Sequence, residues 1–157
     1  GNLDGSAFPD NLEFLSLEGN SITSFNMEGF SATALKNLVQ LDLSRNCLES
    51  IPENLHLASS LRVVNLSNNK ISEIDKDVKL PAKIYILNLR GNNLTSVKAG
   101  RYGITKCTEI NLSNNKLTTV DSTLLKGKVS IIDATGNNIE DWDFIPLARK
   151  KGITVYT

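Results

Sequence analysis

The amino-acid sequence predicts an α/β repeat fold: a right-handed solenoid with a parallel β-sheet on its concave face and a mostly irregular or 3₁₀ convex side. Three observations predict it. Asparagine recurs in phase at Asn20, Asn46, Asn69, Asn92, Asn115 and Asn137, at spacings of 26, 23, 23, 23 and 22 residues. Apolar residues stand eight, five and three positions before each asparagine, and two and five positions after it, with few exceptions in kind. The stretches between these motifs are about ten residues long and hold Pro, Gly and few strong helix formers, which suits turns and 3₁₀ pieces rather than long helices.

Taken in order, residues 1–11 carry a Gly1-Asn2 echo of the later Gly-Asn pairs and read as the remnant of a preceding coil or an N-terminal edge. Residues 12–139 hold six repeats, from the set Leu12, Leu15, Leu17 and Ile22 to the set Val129, Ile132, Ala134 and Ile139. Within each, the apolar pair separated by one residue faces the same side of a short strand and predicts one buried strand per coil. The connection from Thr23 to Asn37 is the longest and predicts one or two helical turns anchored by Phe25, Phe30 and Leu35. Residues 140–157 break the motif and read as a C-terminal cap. Trp142, Phe144, Ile145 and Leu147 are expected to lie across the last coil, and Ile153 and Val155 to form a final strand. The whole chain, 1–157, reads as a single domain.

The asparagine has a reason to be buried. After the strand the chain turns inward and leaves backbone donors and acceptors without ladder partners, each costing roughly 1 to 3 kcal/mol if left unpaired. A carboxamide supplies both a donor and an acceptor, and stacked coils repeat the arrangement. Asn69 is therefore expected inside, and Asn65 and Asn68 outside.

Composition narrows the function classes. Seventeen Lys and Arg balance 17 Asp and Glu, so no long-range field draws the chain to nucleic acid, and no nucleic-acid partner is expected. The cluster Arg149 to Lys151 reads as a solvated helix end. No apolar run approaches the roughly 20 residues that span a bilayer, so this segment is not expected to insert in a membrane. Two cysteines and one histidine are too few soft ligands for a zinc site, and no metal or cofactor is expected. Cys107 takes a core position of its coil, whereas Cys47 follows a ladder asparagine and is expected to face outward, as a free thiol or, in the alternative, paired with another chain. His56 falls on the convex side with no second group placed beside it by the repeat. Asp75-Lys76-Asp77 carries Leu80 where a calcium loop needs its turn glycine, and reads as surface charge. The sequence holds no nucleophile elbow, P-loop or zinc-protease motif, and no catalytic residue is assigned.

The outward strand positions are where a stacked-sheet solenoid presents side chains on a rigid backbone. Between the two strand apolars stand Ser16, Asp42, Asn65, Asn88, Asn111 and Asp133; before the first stand Phe14, Gln40, Val63, Ile86, Glu109 and Ile131. After the second come Glu18, Ser44, Ser67, Arg90, Ser113 and Thr135, also read as outward. Coils three to five thus bring together Arg62, Val63, Tyr85, Ile86, Asn88, Arg90 and Glu109. Aromatic and arginine side chains are enriched among interface hot spots, which makes this group the candidate binding surface. The opposing reading is that Val63 and Ile86 are there as strand formers.

The in-phase motif LxxLxLxxNxLxxI, from Leu12 to Trp142, resembles the leucine-rich repeat proteins. The unadorned repeats and the wording "NLSNNKL" look like an ectodomain piece of a leucine-rich repeat receptor-like kinase, although the plant-type "GxIPxxL" segment is missing after the asparagine and "SIPENL" at 50–55 is only a partial relative of it. That resemblance implies a non-enzymatic module recognising a protein or peptide ligand at the cell surface. The alternative is a cytoplasmic adaptor or regulatory subunit that docks a signalling enzyme, which suits two unpaired cysteines. Asn65, Asn93 and Asn111 head N-x-S/T sequons and are candidate glycosylation sites in an exported chain.

Overall fold

The computed structural model describes residues 5–75, 78–97 and 103–157. Seven three-residue strands form one sheet in the order of the chain: β1 Phe14–Ser16, β2 Gln40–Asp42, β3 Val63–Asn65, β4 Ile86–Asn88, β5 Glu109–Asn111, β6 Ile131–Asp133 and β7 Thr154–Tyr156. All pairs are parallel, and the central residues Leu15, Leu41, Val64, Leu87, Ile110, Ile132 and Val155 stand in register. Parallel neighbours need a crossover, and a crossover that returns to the same sheet runs right-handed. Repetition of that step in one direction produces the solenoid.

Burial follows the period. The first and second strand apolars of the inner coils are buried, as are Leu48, Ile71, Leu94 and Leu117 beyond the ladder asparagines. Leu12 and Leu17 in the first coil, and Ile139 and Trp142 in the last, are only partly buried. On the convex side, 3₁₀ turns at Met27–Gly29, Leu55–Leu57, Ile104–Lys106 and Ser122–Lys126 alternate with extended chain. The long first connection adds the helix α1, Ala32–Asn37, whose start is capped by Ser31 Oγ accepting from Ala34 N at 3.1 Å. Phe25 and Phe30 are buried and Leu35 packs against the same core, while Phe8 stacks on Phe30 with centroids 5.3 Å apart.

The asparagines form the expected interlock in five coils. Asn69 Oδ1 accepts from Leu48 N of the preceding coil at 2.9 Å, and Asn46, Asn92, Asn115 and Asn137 do the same with Ile22, Ile71, Leu94 and Leu117. Each Nδ2 reaches back to the preceding coil's strand end, as in Asn92 to Leu66 O at 3.0 Å, and to its own coil, as in Asn92 to Leu89 O at 3.0 Å. Asn20 departs from the expectation. It is exposed and, among the described residues, donates only within its own coil, to Leu17 O at 2.9 Å and Glu18 O at 3.3 Å. No described coil precedes it to supply the N–H its oxygen would accept.

The residue before each ladder asparagine has positive φ: Gly19, Arg45, Asn68, Gly91, Asn114 and Gly136, between 53° and 71°. This left-handed step turns the chain from the strand into the coil interior. It explains the recurring Gly-Asn and Asn-Asn pairs, since glycine and asparagine tolerate it best. Asn68 is accordingly exposed.

The C-terminal segment adds the helix α2, Phe144–Lys150, and then β7. Phe144 and Ala148, four apart on one face, are buried, whereas Leu147 is 41% exposed rather than lying across the last coil. It falls beside the buried stripe, not on it. Ala134 N donates to Tyr156 O at 2.8 Å, so β7 continues the same sheet. No helix among the described residues is long and apolar enough to cross a membrane.

Candidate interaction surface

The outward columns of the sheet define the concave face. Pairing places Val63 beside Ile86, Ile86 beside Glu109, and Glu109 beside Ile131. Arg62 and Tyr85 occupy the residue before each strand, and Tyr85 is 46% exposed. Arg62 and Arg90 are exposed, and Val63, Ile86, Asn88 and Glu109 are half-buried. All seven residues singled out in the sequence therefore lie on or at the rim of this face.

The middle column has a second role that sequence reasoning missed. The Oδ1 atoms of Asp42, Asn65, Asn88, Asn111 and Asp133 accept the backbone N–H two residues on, at 2.9, 3.2, 3.0, 2.9 and 3.0 Å. These are Asx turns, and they close the strand end just before the left-handed step. At four of these five positions the signal was present as Asp or Asn followed two residues later by Ser or Thr, and at Asn88 the residue two on is Arg90.

The column after the second strand apolar does not face outward as expected. Ser44, Ser67 and Ser113 are buried, and Thr135 is half-buried. The Ser44 and Ser113 hydroxyls donate to Asp42 and Asn111 at 2.6 Å, and that of Thr135 to Asp133 at 2.8 Å, which folds them under the sheet edge. Only the long side chains of Glu18 and Arg90 leave this column for solvent.

Tyr156 is a further missed residue. It is 54% exposed and extends the middle column beyond Asp133. It closes a shallow depression of about 240 Å³ with Ile86, Glu109, Ile131 and Asp133. Its role could not be read from the repeat, because residues 140–157 carry no motif.

The remaining candidates carry little chemistry. Cys107 is buried, and desolvation pushes its thiol up to about 12; Cys47 is half-buried, and both are free. His56 is exposed and borders a convex-side hollow of about 420 Å³ with Glu49, Glu53 and Glu73. No cluster of metal-ligating side chains occurs among the described residues, and Lys76 and Asp77 of the Asp75–Asp77 run lie outside them. Of the sequon asparagines, Asn65 and Asn111 belong to the Asx turns, and Asn93, directly after ladder Asn92, is half-buried.

Residues 10–71 match a family model described as leucine rich repeat, and residues 106–127 match a second model of the same description. Among solved structures, the chain is similar to one in the TLR13-ssRNA13 complex, with TM-score 0.68 and 20% identity over 83% of this chain and 19% of that one. It is similar to a Shigella effector LRR domain, with TM-score 0.61 and 23% identity over 84% of this chain and 53% of that one. It is also similar to a chain of the LRIM1/APL1C complex, with TM-score 0.60 and 24% identity over 79% of this chain and 26% of that one. At these identities the likeness is one of fold, and this chain spans less than two thirds of each neighbour's length. No curated protein matches the chain in sequence.

Proposed function

Because this chain is a leucine-rich repeat protein, we propose that it works as a non-enzymatic recognition module which holds a protein or peptide on the concave face of its sheet. The supporting observation is the group around coils three to five. Val63 and Ile86 sit side by side on hydrogen-bonded strands, with Tyr85, Arg62 and Arg90 exposed at their edges. An interface core needs apolar area ringed by polar groups, and this arrangement supplies both on a backbone that binding need not reorganise.

RNA is the rival ligand raised by the TLR13-ssRNA13 neighbour. Zero formal net charge and the presence of Asp42, Glu109 and Asp133 on the same face disfavour a polyanion. Purified partners would be titrated calorimetrically against the wild type and against Tyr85→Ala and Arg90→Ala. Each variant is expected to lose on the order of tenfold in affinity while keeping its melting temperature. Undiminished affinity in both variants would place the contact elsewhere.

The finer assignment is the ligand-binding ectodomain of a receptor-like kinase at the cell surface, supported by the wording of the repeats. Two observations favour the cytoplasmic adaptor instead. Both cysteines are free thiols, and two of the three sequon asparagines are engaged in the fold. Fractionation of cells carrying the full open reading frame separates the two: recovery on the outer surface supports the receptor, and recovery in the cytosol the adaptor.

A further inference from the structure

Within coils three to six the concave face changes sign along the solenoid axis. Coils three and four present Arg62 and Arg90, whereas coils five and six present Glu109 and Asp133. The two carboxylates border the depression closed by Tyr156. Strand register fixes their surroundings: Glu109 lies between Ile86 and Ile131, and Asp133 between Asn111 and Tyr156. Neighbouring strands are about 4.8 Å apart, so carboxylate, isoleucine and phenol ring all fall within reach of one long side chain.

Neither acid is neutralised by the fold. Glu109 makes no ion pair among the described residues, and Asp133 uses Oδ1 for the Thr135 turn, with no hydrogen bond to its Oδ2 among the described residues. Covering these groups with an aliphatic partner would strip water from two carboxylates and return nothing. An acidic partner would meet both charges directly.

We propose that this depression seats an arginine side chain of a partner protein. Its aliphatic stem lies on Ile131, and its guanidinium sits between Glu109 and Asp133 with one face on the Tyr156 ring. Arginine suits the seat better than lysine, since a guanidinium is planar, offers several donors at fixed angles, stacks on aromatic rings and is less strongly hydrated. The assignment rests on the reading of this chain as a protein-recognition module, and it adds the chemistry of one contact and the polarity of the partner.

The test selects random dodecapeptides from a displayed library against the full chain. Selected peptides are then measured against Glu109→Gln/Asp133→Asn, Tyr156→Ala and Val63→Asp variants of unchanged melting temperature. Asparagine at 133 keeps the Asx turn, as it does at positions 65, 88 and 111. The expected result is one arginine at a fixed register, with affinity falling on the order of tenfold in the double variant and when that arginine becomes lysine. Peptides that lose binding in Val63→Asp, yet carry no arginine and ignore the double variant, overturn the arginine seat and leave concave recognition standing. Equal binding of the lysine peptide also overturns it. Failure to select any peptide sensitive to a concave substitution overturns both readings.

Discussion

The backbone N–H of Leu48 donates to the Asn69 side-chain oxygen at 2.9 Å, across the boundary between the second and third coils. The same carboxamide donates back to Leu43 O at 2.9 Å and to its own coil's Leu66 O at 3.1 Å. One side chain thereby satisfies buried backbone groups on both sides of a coil boundary. Replacing Asn69 with Leu keeps roughly the volume and removes every one of these bonds, so it should destabilise by about 3 kcal/mol. Asn92→Leu should behave alike. Asn20→Leu should cost less than about 0.5 kcal/mol, because Asn20 is exposed and bonds only within its coil. Urea unfolding of the three variants checks this, and equal losses at positions 20 and 69 would refute the interlock.

Arg45 carries the left-handed conformation, φ 55°, that glycine or asparagine adopts at every other equivalent position. A Cβ in that region costs about 1 kcal/mol. Its ion pair with Glu18, at 3.8 Å with both side chains largely exposed, offsets little of this. Arg45→Gly should therefore raise stability by about 1 kcal/mol, read as a higher urea midpoint with unchanged slope. A lower midpoint would show that the arginine has a stabilising contact outweighing its backbone strain.

Gly127 is required for a different reason. A Cβ there would lie on top of the Thr105 carbonyl oxygen of the preceding coil. Backbone cannot yield as a side chain can, so Gly127→Ala should destabilise by more than about 2 kcal/mol. A shift in melting temperature no larger than that of an ordinary surface substitution would show that the coils part easily at this point.

What the sequence discloses here depends on neighbours. Leu41, Val64 and Leu87 could be placed inside from their period alone, since each has a coil on both sides. Asn20 and Leu147 could not, because position in a motif does not say whether anything lies against it. The Asx row was hidden for another reason: Asn65-Leu66-Ser67 spells a sequon and a turn with the same letters, and only hydrogen bonding distinguishes them. Tyr156 joins the concave face through pairing of β7 with β6, a long-range contact for which residues 140–157 carry no repeat signature.

Burial raises the Cys107 thiol from an ordinary 9.0 to about 12 by desolvation. The native state therefore holds its proton where the unfolded state has lost it, and stability from this group is full below about pH 9 and falls as pH rises towards 12. The expected slope is about 1.4 kcal/mol per pH unit within that window. Comparison with Cys107→Val isolates it from tyrosine and lysine titration, and the two stability profiles should diverge above pH 9. Parallel profiles would mean that the thiol is accessible. In native protein, a thiol-reactive dye should label Cys47 alone.

The three sequons should not behave alike. A glycan attaches at Nδ2, and Asn65 Nδ2 donates to Asp42 Oδ2 at 3.1 Å while its Oδ1 holds the Ser67 turn. Asn111 Oδ1 accepts from both the backbone and the hydroxyl of buried Ser113. A sugar on either residue would have to disturb these hydrogen bonds in the middle row of the concave face. The Asn93 side chain makes no hydrogen bond among the described residues, and its sequon threonine, Thr95, is exposed. Passed through a glycosylating secretory host, the folded fraction should carry glycan at Asn93 alone, and Asn93→Gln should return the unmodified mass. Glycopeptides from Asn65 or Asn111 in correctly folded protein would show that the middle column tolerates bulk, and with it that Val63 and Ile86 lie under sugar rather than open to a protein partner.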